Sequence, residues 1–239
     1  MSKQSIRDAI WDALEDEGIA RFPFPPHDRI PNFAGASEAA QRLSETDEWA
    51  AADVVKANPD APQLPVRRRA LRAGKTVYVA VPRLADEQPF RALDPEHIAA
   101  IDGASIDDAT TISGIDEYGE PVGPEAVPHV DLIVSGSVAV STDGTRIGKG
   151  EGYSDLEFAV LSELGAVDES TTVVTTVHDR QVLDDLPDPG DHDVPLDLLV
   201  TPERTIRTER SGARPEGVDW PLLDPDRIAE IPVLQQLQS

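Results

Sequence analysis

The chain has 239 residues, enough for one substantial core, and carries 45 Asp and Glu against 21 Lys and Arg, a formal net charge of −24. That balance speaks against a nucleic-acid partner, because phosphate contact requires a basic surface. The chain contains no cysteine, which excludes disulfides, thiolate catalysis and Cys-zinc centres.

In chain order, residues 2–17 read as a helix. Ser2 is placed to cap it, Ile6, Ile10, Trp11 and Leu14 fall at helical spacing, and Gly18 stops it. This start is an acidic amphipathic helix rather than a signal peptide, and no stretch has transmembrane length. The expectation is a cytoplasmic protein without a membrane partner. RFPFPPHDRIPNF (21–33) is too rich in proline for a helix and reads as an extended arm, with Phe22, Phe24 and Phe33 as core contacts. A second helix is expected over Ala36–Thr46, running towards Trp49. Pro59, Pro62 and Pro65 mark a loop, and a short helix follows over Val66–Arg72 with Gly74 at its end. Its Arg67, Arg68, Arg69 and Arg72 read as a solvated face.

KTVYVAVP (75–82) reads as a strand buried on both faces. Residues 83–128 read as mostly loop. VDLIVSGSVAV (130–140) is the clearest strand, followed by a turn at Thr142–Gly144. A helix is expected over Asp155–Glu163, strands at Thr171–Val177 and Pro195–Val200, and short strand, turn and a terminal helix after Pro202. Strands alternating with helices predict a single α/β domain over residues 1–239, with a central, mostly parallel sheet flanked by helices in three layers.

Between the clearest strand and the following helix stands RIGKGEGYSDLEF (146–158). It matches neither the P-loop, G-x-x-x-x-G-K-[ST], nor G-x-G-x-x-G, since Tyr153 occupies the third glycine position. Gly148, Gly150 and Gly152 let the backbone approach an anion, the helix N-terminus adds positive potential, and Arg146 and Lys149 add full charges. Asp155 is positioned to hold a divalent cation beside a polyphosphate. By spacing alone the segment is either an anion site or a glycine turn with surface charges. His178-Asp179 and His192-Asp193 read as structural hydrogen-bonding groups, with a metal or acid–base role as the alternative, and His27 and Arg29 as part of a rigid surface arm or as pocket-lining residues.

The segment resembles the RxGxGxGYYDR signature of the 5-formyltetrahydrofolate cyclo-ligases, or methenyltetrahydrofolate synthetases. Other pieces agree in order: Lys3 and Arg7 in KQSIR, Gly74-Lys75 before VYVAVPR, YGEP (118–121), and HDVPLDLLVTP (192–202). FPFPPHDRIPNF and RIGKGEGY resemble, in particular, the methenyltetrahydrofolate synthetase domain-containing branch. The acidic, lysine-poor composition, with only four lysines, adds the expectation of a halophilic archaeal source.

The resemblance implies a cyclo-ligase fold, related to the NagB, RpiA and CoA-transferase type. It also implies a ligase that uses ATP and Mg²⁺ to convert 5-formyltetrahydrofolate to 5,10-methenyltetrahydrofolate as a monomer or homodimer. By motif position, Lys3 and Arg7 would contact nucleotide phosphates. Arg146 and Gly148–Tyr153 (Gly148, Lys149, Gly150, Gly152, Tyr153) would form the phosphate loop, with Lys149 and Tyr153 also catalytic. Asp155 and Asp197 would bind Mg²⁺. Ser154 and Leu156 replace the signature's second tyrosine and its arginine, and Asp60 is the one candidate for the acid that grips the pterin. Two alternatives stand beside this reading: an ATP-binding paralogue acting on another small molecule, for which the same resemblance suggests a thiamine-related one, and a non-catalytic nucleotide-binding or interaction module.

Overall fold

A computed structural model describes residues 1–210 and 213–238. The first helix, α1 (Lys3–Asp16), begins where Ser2 Oγ accepts the N–H of Ser5 at 3.1 Å, and it buries Ile6, Ile10, Trp11 and Leu14. Next come α2 (Ala36–Ser44), strand β1 (Val54–Ala57), α3 (Leu64–Arg72) and β2 (Thr76–Ala80). Then follow β3 (Phe90–Leu93), β4 (Glu120–Val122) and β5 (Leu132–Val134). The later elements are α4 (Tyr153–Glu163), β6 (Thr172–Thr176), β7 (Leu198–Val200), β8 (Thr205–Arg207), α5 (Pro225–Glu230) and α6 (Pro232–Gln238).

The eight strands form one sheet in the order β8-β7-β6-β5-β1-β2-β3-β4. The five inner strands, from β7 to β2, are parallel, while antiparallel pairings add β8 at one edge and β3 and then β4 at the other. Alternate residues of each strand face opposite sides, as the pleat requires. Val77 and Val79 pack with Leu43, Val66 and Leu71 from α2 and α3. Tyr78 and Ala80 share the opposite core with Phe158, Val160 and Leu161 of α4 and with Val233 and Leu234 of α6. The expected three-layer α/β architecture is the one observed.

Several local expectations change. The stretch 130–140 is not one strand. β5 ends at Val134, and Ala139–Ser141 belongs to a separate three-stranded sheet with Arg146–Ile147 and Val182–Leu183. Ser135–Ser137 leaves the main sheet because its polar groups bond sideways. The Gly136 N–H donates to Asn58 Oδ1 at 3.1 Å, and Ser137 Oγ lies 2.9 Å from Thr175 Oγ1. A methyl group on Gly136 would sit 2.9 Å from Ile30 Cγ1, so only glycine fits this crossing without displacing the arm. The helix expected over Ala36–Thr46 ends at Ser44, and a separate turn of helix covers Asp47–Ala51. Phe33 is buried, but Phe22 and Phe24 are 78% and 57% exposed and make no core contact. Strands β1, β3 and β4 escape the sequence reading, the last lying where a turn is expected at 118–123.

The arginine cluster on α3 is not uniformly solvated either. Arg67 is 1% exposed and lies under the turn that follows β1. It donates to the carbonyls of Asn58 at 2.5 Å, Asp60 at 3.2 Å and Thr110 at 3.1 Å. Burial pulls its pKa down to about 10, while Asp60 opposes the shift.

Candidate active site

The chain leaves β1 for β2 on one side and leaves β5 for β6 on the other, so the sheet reverses its winding between these neighbours. In open α/β sheets the crevice beyond the carboxyl ends of such strands is where ligands bind. A pocket of about 530 Å³ lies here, lined by Asn58–Asp60 after β1, Gly136 after β5, and the whole of Gly148–Asp155. Lys3 and Arg7 reach it from α1, and His192 and Asp193 from the segment before β7.

The glycine segment forms a tight turn that leads into α4. Gly150 and Gly152 adopt φ of +109° and +69°, which side chains disfavour, and Gly152 is the residue from which α4 starts. A methyl group on Gly150 would approach Arg7 Cζ to 3.3 Å. Arg7 Nε donates to the Gly148 carbonyl at 2.7 Å, which ties α1 to the loop. Burial lowers the Arg7 pKa, with Asp8 acting against the shift. Lys149 is partly exposed and pairs with Glu151 at 2.8 Å. Arg146 is more deeply set: it donates to the Gly136 carbonyl at 3.0 Å and to Asp155 Oδ1 at 2.5 Å. Four cations and a helix N-terminus therefore converge on one loop, a fitting cradle for a polyphosphate.

The two expected metal carboxylates do not come together. Asp155 lines the pocket, paired with Arg146 and accepting the N–H of Val194 at 3.1 Å. Asp197 does not line it. It stands just before β7, at the end of the sheet away from the crevice, where it accepts the N–H of Val173 at 2.7 Å and pairs with buried Arg214. The carboxylate that reaches the pocket is instead Asp193, bonded to Lys3 at 2.7 Å and to the Gly190 N–H at 2.9 Å. Burial alone would raise the Asp193 pKa, but the Lys3 hydrogen bond, the Gly190 N–H and the nearby cations outweigh it and leave the group below its ordinary value. The His192-Asp193 dipeptide was the available signal. Nothing in the sequence shows that this segment turns into the crevice, so spacing alone favours a structural role. Among the described residues no cluster of three or more acids and histidines forms a closed metal cage. Two pocket carboxylates fit Mg²⁺, which takes one or two protein carboxylates together with substrate phosphates and water.

The pocket's inner end was largely missed. Lys56 on β1 is 1% exposed and forms a buried ion pair with Glu157 of α4, which lines the pocket. Asn58 Nδ2 lies 3.5 Å from the same Glu157 oxygen. Asp60 lines the pocket as well. Burial raises its pKa, while Lys149 and Arg67 hold the rise back and Glu157 adds to it. The two departures from the family signature also have neighbours. Ser154 Oγ lies 2.9 Å from Ser135 Oγ, and Leu156 is buried in the apolar core. His178 serves its own turn, its Nδ1 accepting the Arg180 N–H at 3.1 Å, and His27 bonds Asp12 at 2.9 Å.

These features define an α/β protein with a cation-rimmed glycine loop at the carboxyl edge of a parallel sheet. The sequence model of the 5-formyltetrahydrofolate cyclo-ligase family matches residues 1–202, and the chain belongs to that family. Among its relatives is a methenyltetrahydrofolate synthase domain-containing protein of Mus musculus, 44% identical over 241 residues. The human protein of the same name is 41% identical over 241 residues. Both alignments cover 100% of this chain but only 64% and 62% of the relatives' own lengths. Among solved structures, a 5,10-methenyltetrahydrofolate synthetase from Aquifex aeolicus shares the fold. Its TM-score is 0.55 at 21% identity, and the match covers 89% of this chain and 95% of that one.

Proposed function

We propose that the chain catalyses ATP-dependent ring closure of 5-formyltetrahydrofolate to 5,10-methenyltetrahydrofolate. The observation that carries this reading is one pocket with two unlike ends. Lys3, Arg7, Arg146 and Lys149 surround the glycine loop, and Asn58, Asp60 and Glu157 line the inner end. The cationic end suits the triphosphate, and the acidic end suits the N–H donors of a pterin ring.

In this scheme the formyl oxygen takes the terminal phosphoryl group and ADP departs. N10 then adds to the activated carbon and loses its proton, and phosphate leaves with the oxygen. The protein's work is to align the two substrates and to neutralise charge on the transferring group. Arg7, Arg146 and Lys149 supply that charge with the backbone N–H groups of the loop, while Lys3 orients Asp193. Asp155 and Asp193 would hold Mg²⁺, which supplies charge neutralisation across the phosphate oxygens when bound. Tyr153, the first residue of α4, stands at the loop's exit and bounds the reacting space.

A second reading keeps the phosphate end and changes the substrate. The buried Lys56–Glu157 pair beside Asn58 favours it, because it makes the inner end a polar floor that could suit another donor-rich small molecule. One experiment separates the two. Purified protein with ATP, Mg²⁺ and 5-formyltetrahydrofolate should develop the near-ultraviolet absorbance of the methenyl product. Tight ATP binding without that absorbance would reject the folate reading and leave the second.

A further inference from the structure

The family match ends at residue 202, yet the relatives align along the whole chain, so the segment from 203 onward is an appendage shared with them. It is firmly joined to the fold. Buried Arg214 pairs with Asp197, Glu163 Oε2 accepts the N–H of Val218 at 3.0 Å, and Ile231, Val233 and Leu234 enter the core against α4. On this anchored base α5 presents Arg227 to the glycine loop. Arg227 donates to the Glu151 carbonyl at 2.8 Å, and its guanidinium carbon lies 4.7 Å from the centre of the Tyr153 ring. A methyl group on Gly152 would sit 3.8 Å from both terminal nitrogens of Arg227. The arginine therefore meets the loop where it becomes helix.

We propose that Arg227 is a positioning residue of the phosphate loop, supplied by the appendage. The loop is clamped from two sides. Arg7 holds the Gly148 carbonyl from α1, and Arg227 holds the Glu151 carbonyl from α5. Between these anchors lie Lys149 and Gly150, the latter at a φ of +109° that side chains disfavour. Fixing two carbonyls of a glycine-rich turn fixes its peptide planes, and so the directions in which its N–H groups point. The stack on Tyr153 adds a cation–π contact that orients the ring beside the same turn. A guanidinium makes both contacts at once, whereas an ammonium can make only one well. Without the appendage the loop would keep only the Arg7 clamp from α1 before a ligand binds. Here part of the loop's ordering is built into the fold.

The inference rests on the ATP reading only for its kinetic consequence, so the test has two independent arms. The first is backbone ¹⁵N relaxation of the full chain without ligand, in wild type, Arg227→Ala and Arg227→Lys. In Arg227→Ala the amide order parameters of Gly150 and Gly152 should fall from about 0.85 towards about 0.6, with those of Val233 and Leu234 unchanged. The second arm is steady-state kinetics. Arg227→Ala should raise KM for ATP about tenfold and leave KM for 5-formyltetrahydrofolate within about twofold, with Arg227→Lys recovering part of the loss. Unchanged order parameters in Arg227→Ala would overturn the proposal. So would a loss of order spread equally through α6, which would make Arg227 a general structural residue. If wild type neither binds nor turns over ATP, the functional reading fails, and the relaxation arm still decides the role of Arg227.

Discussion

The two ends of the pocket are built on opposite principles. At the glycine-loop end the cations rim a turn: Lys149 sits in it, Arg146 precedes it, and Lys3 and Arg7 reach in from α1. Lys149 is one residue from the glycines it serves, and its side chain is 36% exposed. At the inner end the charges are buried, come from distant segments and sit on rigid elements: Lys56 from β1, Glu157 from α4 and Arg67 from α3. Exposed cations cost little to keep and bind by attraction when an anion arrives. Buried ones have lost their hydration and remain charged only because fixed partners surround them. The outer end should therefore fail in binding when altered, and the inner end should fail first in folding.

The largest effect should come from splitting the buried pair. Lys56→Ala or Glu157→Ala leaves an uncompensated charge in the core and should cost about 3–5 kcal/mol of stability, read from urea unfolding. The double replacement Lys56→Met, Glu157→Leu removes both charges at similar volume and should recover most of that loss. If the single variants unfold at the wild-type midpoint, the inner end is not the rigid ionic floor described. The recovered double variant should still bind ATP normally, since it leaves the outer end intact.

Next come Arg7→Ala and Lys149→Ala. Each removes a cation aimed at the loop, and each should weaken ATP binding roughly tenfold to a hundredfold by titration calorimetry. Lys149→Ala should leave the unfolding midpoint nearly unchanged, because a half-exposed Lys–Glu pair contributes little to stability. Unaltered nucleotide affinity in both variants would remove the basis for a phosphate cradle.

This division also explains what the sequence revealed. The glycine loop was legible because its parts lie within thirteen residues and alternate glycine with charge. The parallel sheet was legible because β2, β6 and β7 are aliphatic runs. β1 was not, although it is a central strand, because Lys56 interrupts VVKA and nothing local announces a partner 101 residues away. Arg67 resembles its half-buried neighbours for the same reason: three arginines in succession cannot show which one turns inward. Asp197 and Asp193 share one acidic segment, and only the path of the chain before β7 shows which carboxylate enters the crevice. Arg227 lies in an appendage beyond the family signature, with no motif of its own.

A smaller effect tests where the acidic inner wall meets substrate. Asp60→Asn should raise KM for 5-formyltetrahydrofolate about tenfold while ATP affinity stays unchanged, the loss expected for one charge-assisted hydrogen bond. The folded-state pKa of Asp60 is raised, so its ionisation opposes folding as pH climbs through and above the ordinary carboxylate value. Removing that charge should leave the protein as stable as wild type, or more so, at neutral pH. A marked destabilisation would instead assign Asp60 a structural task at its turn.

The smallest effect concerns the Lys3–Asp193 contact, where the outer end touches the acidic segment before β7. The Asp193 pKa is lowered in the folded state, so the sign is opposite to that of Asp60. Its contribution to stability is fully present above the unfolded carboxylate value, near pH 4, and is lost as pH falls through the lower folded value. As pH falls below about 4, wild type should therefore lose stability more steeply than Asp193→Asn, which has no carboxylate to protonate there. The difference should be modest, because Lys3 is 37% exposed and water screens the pair. At pH 7 the same variant should weaken Mg²⁺-dependent ATP binding, whereas Asp197→Asn should leave that binding unchanged and loosen the appendage through Arg214. The opposite pattern, with metal dependence lost in Asp197→Asn and kept in Asp193→Asn, would return the metal role to Asp197 and show that the segment before β7 rearranges when nucleotide binds.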